Sequence, residues 1–578
     1  MRTSTLKLAF NLLVLGLAAG LALALCRPAL PSDSLWRQLA YGRLIVSQGG
    51  FPSSDPFNFS LPAAAGVDKD GWLFSMAAYG LNQIAGFKGA LGLRSFLLFG
   101  GFFFMLAAGF RRGARPFSTA LFSLAALLAI LPYADFRPAL AGFFFFAAAA
   151  YLMEGEFWPS FFGRWIWLPA LMVPALNFSG GAILILPLAL AWALGEKNSD
   201  SPAKPELPGL ALAGTLGILA GCAFIHPALW RTLAFALPGP LATPFESGAF
   251  DAALPALALL AATLLLLLSG AALPQGRPHA ARDLLVFAGL ALPALLWRSL
   301  LPYACLLAAP MAAARAGQVM DALPSAGRGL GWTLKAAALA AALFMLPRLF
   351  KAEPGKTAAQ PAESVDFFRD ELLSGNVFNE NDWGGKIIWE LSPQARVFSD
   401  GKRGAAFDYV RIMQASEGWG KLLEHYGTDF AWLRLNTPLA KAMARSAAWQ
   451  PVDFDDASVL YARVGPPNAK LIKTYAPRGL RPGDMDEPFD SSRLPQVQAD
   501  LESRRLKRPR SGILHYYEAR LNLEMEREGL ARQWLERGIQ LDPSFAPNYK
   551  LLGDLRLKAG DKKGAQPFFE RAMSLGGL

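Results

Sequence analysis

Apolar residues are spread so unevenly along this chain that they decide its architecture before any motif is considered. Residues 1–350 carry run after run of Ala, Leu and Phe with almost no charge, whereas residues 351–578 hold most of the acids and bases. A bilayer-crossing helix needs roughly 20 apolar residues, fewer where neighbours shield it. Candidate runs lie at 8–26, 91–110, 116–132, 138–153, 164–177, 181–195, 208–224, 252–270, 283–297, 299–314 and 330–347. The first follows Arg2 and Lys7 as a signal peptide would, yet Ala24-Leu25-Cys26-Arg27 is a poor cleavage site and more runs follow, so it reads as an uncleaved helix. The expected fold is a polytopic α-helical membrane bundle of about eleven spans over residues 1–350, followed by a soluble C-terminal third. Residues 72–87 are apolar enough for a twelfth span but read as a helix in or against an outer loop.

Charge gives the orientation. Short loops on the cytoplasmic side carry the excess of Lys and Arg. With the N-terminus inside, the inner loops hold Arg111, Arg112 and Arg115, then Arg164, Lys197 and Lys204, Arg277 and Arg282, and Arg315 and Arg328. This phase places a long loop, 27–90, and the C-terminal third on the outer side. The net charge of +11 does not indicate nucleic-acid binding, because the bases are scattered among acids or sit at helix ends. The one basic run, Arg504 to Arg510, reads as a solvated linker, with an anionic-lipid contact as the alternative. Cys26, Cys222 and Cys305 lie in or beside apolar runs and form no disulfide framework, and four dispersed histidines make no metal site.

The loop 27–90 has structure of its own. Asp33 to Val46 is amphipathic, with Leu35, Leu39 and Leu44 against Arg37, Gln38 and Arg43, and reads as a helix resting at the membrane surface or capping the bundle. A Gly-Gly-Phe-Pro turn, Ser54-Asp55-Pro56-Phe57 and Gly71-Trp72-Leu73 follow. This order resembles the first outer loop of bacterial C-type glycosyltransferases. Phe136-Arg137-Pro138-Ala139-Leu140 resembles their Arg-Pro-x-Leu element, and Asn177-Phe178-Ser179-Gly180-Gly181 their Asn-x-His-Gly element. His226-Pro227-x-x-Trp230 is similar to their Asn-Pro-x-Gly-Trp turn, and Arg298 with Pro310 to their late Arg…Pro pattern. The chain departs from the group where an Asp-x-Asp-x-Trp-Trp-His-Leu stretch is usual: it reads Ser32-Asp33-Ser34-Leu35-Trp36-Arg37-Gln38-Leu39.

The resemblance implies transfer of a sugar from a polyprenyl-phosphate carrier to an acceptor at the outer face. Such a reaction needs an outer carboxylate as base or as a holder of a divalent cation, and cations for the departing phosphate. The outer carboxylates are Asp33, Asp55, Asp135 and Glu246, and the outer cations Arg37, Arg137, Arg231 and Arg298. Asp33 and Asp135 are the expected catalytic acids, and Arg137 and Arg298 the expected phosphate or lipid-carrier contacts. A charge facing the bilayer centre costs about 2.5–3.5 kcal/mol, so Asp135 and Arg137 should meet water, each other or a ligand. For Asp55 a local turn role competes, since Asp-Pro turns use the acid for nearby backbone N–H groups. A divalent cation is possible as cofactor.

Residues 351–475 read as an outer, periplasmic α/β domain. Expected elements are a helix over Ser364–Ser374, strands at Arg396–Ser399 and Phe430–Leu435, and a hairpin of Trp449–Phe454 and Ala457–Val464. Asp382-Trp383-Gly384-Gly385 and Asp400-Gly401-Lys402-Arg403 resemble paired elements in the outer domain of the same group. Asp382, Trp383, Lys402 and Arg403, with Asp55, are therefore the expected acceptor-side residues. After a linker at 476–511, residues 512–578 repeat: Ala531, Glu536-Arg537 and Leu541 recur 34 positions later as Ala565, Glu570-Arg571 and Leu575. This spacing is similar to tetratricopeptide repeats, which imply two α-helical hairpins and a protein partner; two copies bury too little surface alone and should lean on the α/β domain or on that partner. The first expectation is a membrane glycosyltransferase of the bacterial inner membrane, taking a polyprenyl-phosphate-linked sugar among membrane lipids. The alternative is a non-catalytic relative acting as a membrane scaffold for envelope proteins. A transporter ranks third, since few charges lie within the spans.

Overall fold

A computed structural model of the chain describes residues 2–27, 32–62, 66–154, 163–197, 247–272, 277–322, 361–401 and 404–576, with isolated helical positions between 333 and 347. The expected span at 208–224, the His226–Trp230 element, Arg231, Glu246, Lys402 and Arg403 lie outside the described residues. The chain divides into two compact units. One comprises residues 1–51 and 68–356, the other residues 52–67 and 357–578.

The described residues of the first unit are helical, apart from their connections. Its helices are α1 (Arg2–Leu25), α2 (Asp33–Gln48), α3 (Trp72–Arg111), α4 (Pro116–Ile130), α5 (Ala139–Met153), α6 (Gly163–Phe178), α7 (Ile185–Lys197), α8 (Ser247–Ala272), α9 (Arg277–Leu296) and α10 (Leu301–Ala322). Among the described residues, four helical stretches are long and apolar enough to cross a membrane: Thr5–Leu25, Trp72–Arg111, Pro116–Tyr133 and Arg298–Met320. Shorter apolar helices lie at Ala139–Met153, Gly180–Trp192 and Ala253–Ser269. Phe96, Phe103 and Phe110, seven residues apart on one face of α3, are exposed. Such a stripe on a helix apolar all round marks a lipid-facing surface.

Helix α3 is broken. Ala85 and Gly86 leave helical geometry, Gly86 at φ 59, so residues 72–84 form an arm distinct from 87–111. The arm packs on α2 so closely that a Cβ on Gly42 would lie 2.2 Å from the Ser75 carbonyl oxygen. Gln38 accepts a hydrogen bond from Ser75 Oγ at 2.5 Å, and Trp36 meets Phe87 edge-on at 4.4 Å. Helix α2 therefore does not rest on a membrane surface with its polar face in water. Arg37 and Gln38 are buried along with Leu35 and Leu39, because the arm of α3 covers the polar side as well.

The loop cations read as a topological signal also have a structural role. Asp283 lies 3.2 Å from Arg112, 3.3 Å from Arg282 and 2.9 Å from Arg315, and Arg112 also pairs with Glu154. This network joins the ends of α3, α5, α9 and α10. Trp192 of α7 lies under Arg282, 4.5 Å from the guanidinium carbon.

The second unit is built on a five-stranded sheet. Its elements run α11 (Ala362–Asp370), β1 (Gly375–Asn379), α12 (Gly384–Leu391), β2 (Ala395–Val397), α13 (Ala406–Met413), α14 (Trp419–His425), β3 (Phe430–Arg434), α15 (Pro438–Ala444), β4 (Trp449–Phe454), β5 (Ser458–Arg463), α16 (Ala469–Tyr475), α17 (Leu494–Lys507), α18 (Gly512–Glu524), α19 (Glu528–Leu541), α20 (Ala546–Lys558) and α21 (Lys562–Ser574). The strand order is β2-β1-β3-β5-β4. Strands β1, β2 and β3 are mutually parallel, and β5 pairs antiparallel with β3 and β4.

Part of the loop between α2 and α3 belongs to this sheet. Phe59 N donates to Val397 O at 3.1 Å and Val397 N to Phe57 O at 2.8 Å, so residues 57–59 cover the outer edge of β2. Three-residue β2 would otherwise expose unpaired backbone groups. Ser60 Oγ donates to Phe398 O, and Ala405 N donates to Ser60 Oγ. At the other end, the two C-terminal helix pairs share the sheet's core: Phe454 and Tyr461 pack in one cluster with Val497, Leu501, Ile513, Tyr517 and Phe545.

Candidate active site

In the first unit the polar residues gather around Asp135, in the turn before α5. Ser32 Oγ donates to Oδ1 at 3.0 Å, Phe136 N to Oδ1 at 2.7 Å, Arg137 Nε to Oδ2 at 2.9 Å, and Ser34 Oγ also to Oδ2. Burial works to raise this carboxyl. The hydrogen bond from Ser34 and the Arg137 charge outweigh it and hold Asp135 below the ordinary carboxylate range. Asp33 stands between the two donor serines in the chain and is the first residue of α2. There the helix N-terminus favours a negative charge.

Two further cations adjoin the turn. Arg94 in α3 donates to Ala134 O at 2.9 Å and to Arg27 O at 3.1 Å, and its charge reaches Asp135. Arg298, just ahead of α10, lies beside Tyr133. Arg94 was legible only as an ionisable residue within an apolar helix, which is a functional signal in its own right.

The family-like motifs of this unit meet one another. Trp72 Nε1 donates to Asn177 Oδ1 at 2.8 Å, and Gly180 N donates to Asp70 Oδ1 at 2.9 Å. Gly71, at φ 67, is pressed against the Arg137-Pro138 element: a Cβ there would lie 2.3 Å from Pro138 Cγ. Tyr303 of α10 presents its hydroxyl to Gly142 and Gly181. Asp70 and Tyr303 had no motif to announce them. Gly71→Ala combines a left-handed backbone cost of roughly 1–3 kcal/mol with overpacking of roughly 1–3 kcal/mol. A clear drop in the melting temperature of the detergent-solubilised chain is expected; an unchanged melt would show that the two motifs do not need this contact.

In the second unit the remaining candidates lie at the carboxyl ends of the parallel strands. Chain order reverses around β1, whose neighbours are β2 on one side and β3 on the other. The crevice at such a switch point is where open α/β sheets bind ligands. Glu380 and Asp382 follow β1, and Arg434 ends β3. Arg434 pairs with Glu380 at 3.1 Å and with Asp382, and its guanidinium stacks 4.9 Å from the Trp383 ring. Trp383 is fully buried and Asp382 half-exposed. Burial raises the Glu380 carboxyl, against hydrogen bonding and attraction from Arg434.

The two motifs of the second unit are joined by backbone contact. A Cβ on Gly384 would lie 2.1 Å from Ser399 O. Asn379 accepts from Phe398 N and Ser399 N and donates to Ser399 O and Glu380 O, so its amide acts as a substitute backbone between β1 and the loop after β2. Asp400 is buried. Asp55, also buried, accepts from Phe57 N at 2.9 Å and Asn58 N at 3.3 Å, the local turn role.

These donors do not suit a divalent cation. Asp135 is ringed by two hydroxyls, a guanidinium and an amide N–H. Among the described residues no group of three or more His, Cys, Asp or Glu side chains could hold a metal.

No protein-family model and no curated protein sequence matches the chain. Solved structures do resemble it. The oligosaccharyltransferase of Archaeoglobus fulgidus in its apo form superposes with a TM-score of 0.51 at 11% identity, covering 73% of this chain and 69% of that one. Its complex with zinc and sulfate gives 0.52 at 13% identity, over 78% and 73%. ArnT from Cupriavidus metallidurans bound to undecaprenyl phosphate gives 0.48 at 14% identity, over 81% and 99%. The archaeal likeness is one of fold: the arrangement of this chain resembles that oligosaccharyltransferase over about three quarters of its length.

Proposed function

We propose that the chain is a lipid-linked-sugar-dependent glycosyltransferase at the outer face of the bacterial inner membrane. It takes a sugar from a polyprenyl-phosphate carrier and transfers it to an acceptor. The observation that carries this reading is the cluster at Asp135, where an ionised carboxylate, Arg137 and Arg94 gather beside the ends of apolar helices, with Asp33 between the two serines that bond it. The acceptor's hydroxyl or amine attacks the anomeric carbon, and the bond from that carbon to the phosphate oxygen breaks. The electron pair leaves with the polyprenyl phosphate, and the acceptor's proton passes to a base.

Asp135 suits the base role poorly: each of its oxygens accepts a hydrogen bond, and a carboxyl held low is a weak proton acceptor near neutral pH. The base role is therefore assigned to Asp33, the other expected catalytic acid. Asp135 instead orients Arg137, which with Arg94 and Arg298 neutralises the departing phosphate. Asp382 and Arg434 serve the acceptor. Sidedness is supported by residues 57–60: they lie between α2 and α3 yet complete the sheet of the second unit, so loop and sheet share a compartment. The helix pairs, read as tetratricopeptide-like, take a protein partner.

One observation favours the rival, a non-catalytic scaffold: Ser32-Asp33-Ser34 stands where the group it resembles usually reads Asp-x-Asp, and both serine hydroxyls bond Asp135. Glycan profiling separates the two. A deletion strain complemented with Asp33→Ala plus Asp135→Ala should keep the deletion's glycan defect. Full restoration by that variant, at wild-type protein levels, sinks the enzyme reading.

A further inference from the structure

The second unit has one helix whose outward face is apolar. On α13, Phe407 is 77% and Val410 50% exposed. They stand three residues apart and so share a face. The opposite face is well anchored. Ile412 is fully buried, Tyr409 stacks on Phe378 at 5.5 Å, and its hydroxyl accepts from Asn381 N at 2.8 Å. The helix is therefore fixed in place with two large side chains directed to the outside, and disorder cannot explain their exposure.

The surroundings are basic. Arg411 lies over the Phe407 ring at 5.9 Å. Asp408, the one acid on the helix, is engaged by Tyr426 at 2.8 Å and by Arg411 at 3.9 Å. Exposed Arg396 holds Asn58 O at 3.3 Å, and Lys402 and Arg403 precede the helix in sequence. The start of α13 is also tied to the chain's membrane tether: Ala405 N donates to Ser60 Oγ at 3.1 Å. Residues 49–56 and 61–71 join this segment to α2 and α3. At about 3.5 Å per residue, neither connection reaches beyond roughly 40 Å.

We propose that α13 is an interfacial helix that inserts Phe407 and Val410 into the outer surface of the bilayer, with Arg411 and Arg396 on anionic lipid headgroups. A helix with an aromatic and aliphatic face bordered by arginines, tethered beside membrane helices, matches the chemistry of such a surface. The occupant is the lipid, since chain connectivity keeps this edge of the sheet near a membrane whatever partner is present. The proposal does not depend on the transferase reading. If both hold, α13 also seats the Glu380–Asp382–Arg434 cluster beside the lipid surface, because Tyr409 links the helix to that loop.

The test uses the full chain in nanodiscs, with the photo-crosslinking residue benzoylphenylalanine at position 407, 410 or 498. Gln498 is exposed too but lies on α17, away from the apolar face of α13. Phospholipid adducts at 407 and 410 are expected to exceed those at 498 by at least about fivefold, and to rise when phosphatidylglycerol replaces phosphatidylcholine. Equal adduct yields at the three positions, or adducts to protein at 407, would overturn the proposal. Because both side chains are exposed, substitution there leaves the fold intact. A lipid adduct alongside a wild-type glycan profile in the Asp33/Asp135 variant would defeat the transferase reading and leave this one standing.

Discussion

Asp135→Asn is expected to lower sugar transfer by roughly 10²–10³-fold, the scale for removing a preorganised electrostatic contact from a transition state. The asparagine oxygen can still accept from Ser32 and Phe136 N at the Oδ1 position. Its amide would occupy the Oδ2 position, facing the Arg137 N–H that now lies 2.9 Å away. Two donors then oppose each other and Arg137 swings free. The pH dependence separates this effect from loss of the base. A carboxyl held below its ordinary range is ionised throughout that range, and it gives up its contribution only as pH falls through the lowered value. The acid limb of kcat/KM therefore belongs to another group. Asp135→Asn should depress the plateau and leave the limb in place. A rate profile for Asp135→Asn with an undiminished plateau, or with a displaced limb, would remove Asp135 from its role.

Much of this arrangement could be read from residue order. Asp33 and Asp135 each follow an apolar run, and Ser32 and Ser34 beside Asp33 bond Asp135. The Asp382 and Asp400 motifs read as a pair, and Gly384 explains their meeting: only a residue without a side chain lets Ser399 approach. Other features left no local trace. Strand β1 carries Gly375, Asn376 and Asn379, poor strand formers by composition. It is a strand because Asn379 bonds to the neighbouring loop, a long-range fact. Residues 57–60 look like a loop turn, and only the partner edge of β2, more than 330 positions away, gives them a place in the sheet. Arg434 reads as the polar end of a strand until the reversal of strand order sets it beside Asp382. The amphipathic pattern of α2 fits both a surface helix and a cap over the bundle. The bend at Gly86 leaves an arm that packs on Gln38, which favours the cap.

Arg508→Ala should destabilise the second unit by about 3 kcal/mol, the lower end of the cost of stripping one partner from a buried ion pair. The sequence marks Arg504 to Arg510 as a solvated basic stretch, yet its middle is a fastener. Arg508 lies 3.0 Å from Asp453 and 3.1 Å from Glu363, and also donates to Phe454 O. Arg504, 3.6 Å from Asp453, packs over Phe454 at 4.5 Å. These contacts fix α17, and with it the helix pairs, to the β4 edge of the sheet. Asp453 is almost wholly buried, and burial holds its carboxyl above the ordinary range despite both arginines. Without Arg508 that carboxyl rises further, with only Arg504 to offset it. For a unit of this size the melting temperature should fall by roughly 6–12 °C, whereas Arg510→Ala, on exposed surface, should change it little. The sign of the pH effect follows from the raised folded-state value. Stability from this group is fully present below the unfolded-state value and is lost as pH rises through the folded one. The deficit of Arg508→Ala should therefore grow as pH rises through the folded-state value, because a protonated Asp453 no longer needs a cation. Adding Asp453→Leu to an Arg508→Met background should recover most of the loss, because an apolar pair removes the stranded charge. A melt of Arg508→Ala that matches Arg510→Ala across the pH range would return the whole basic run to the solvent.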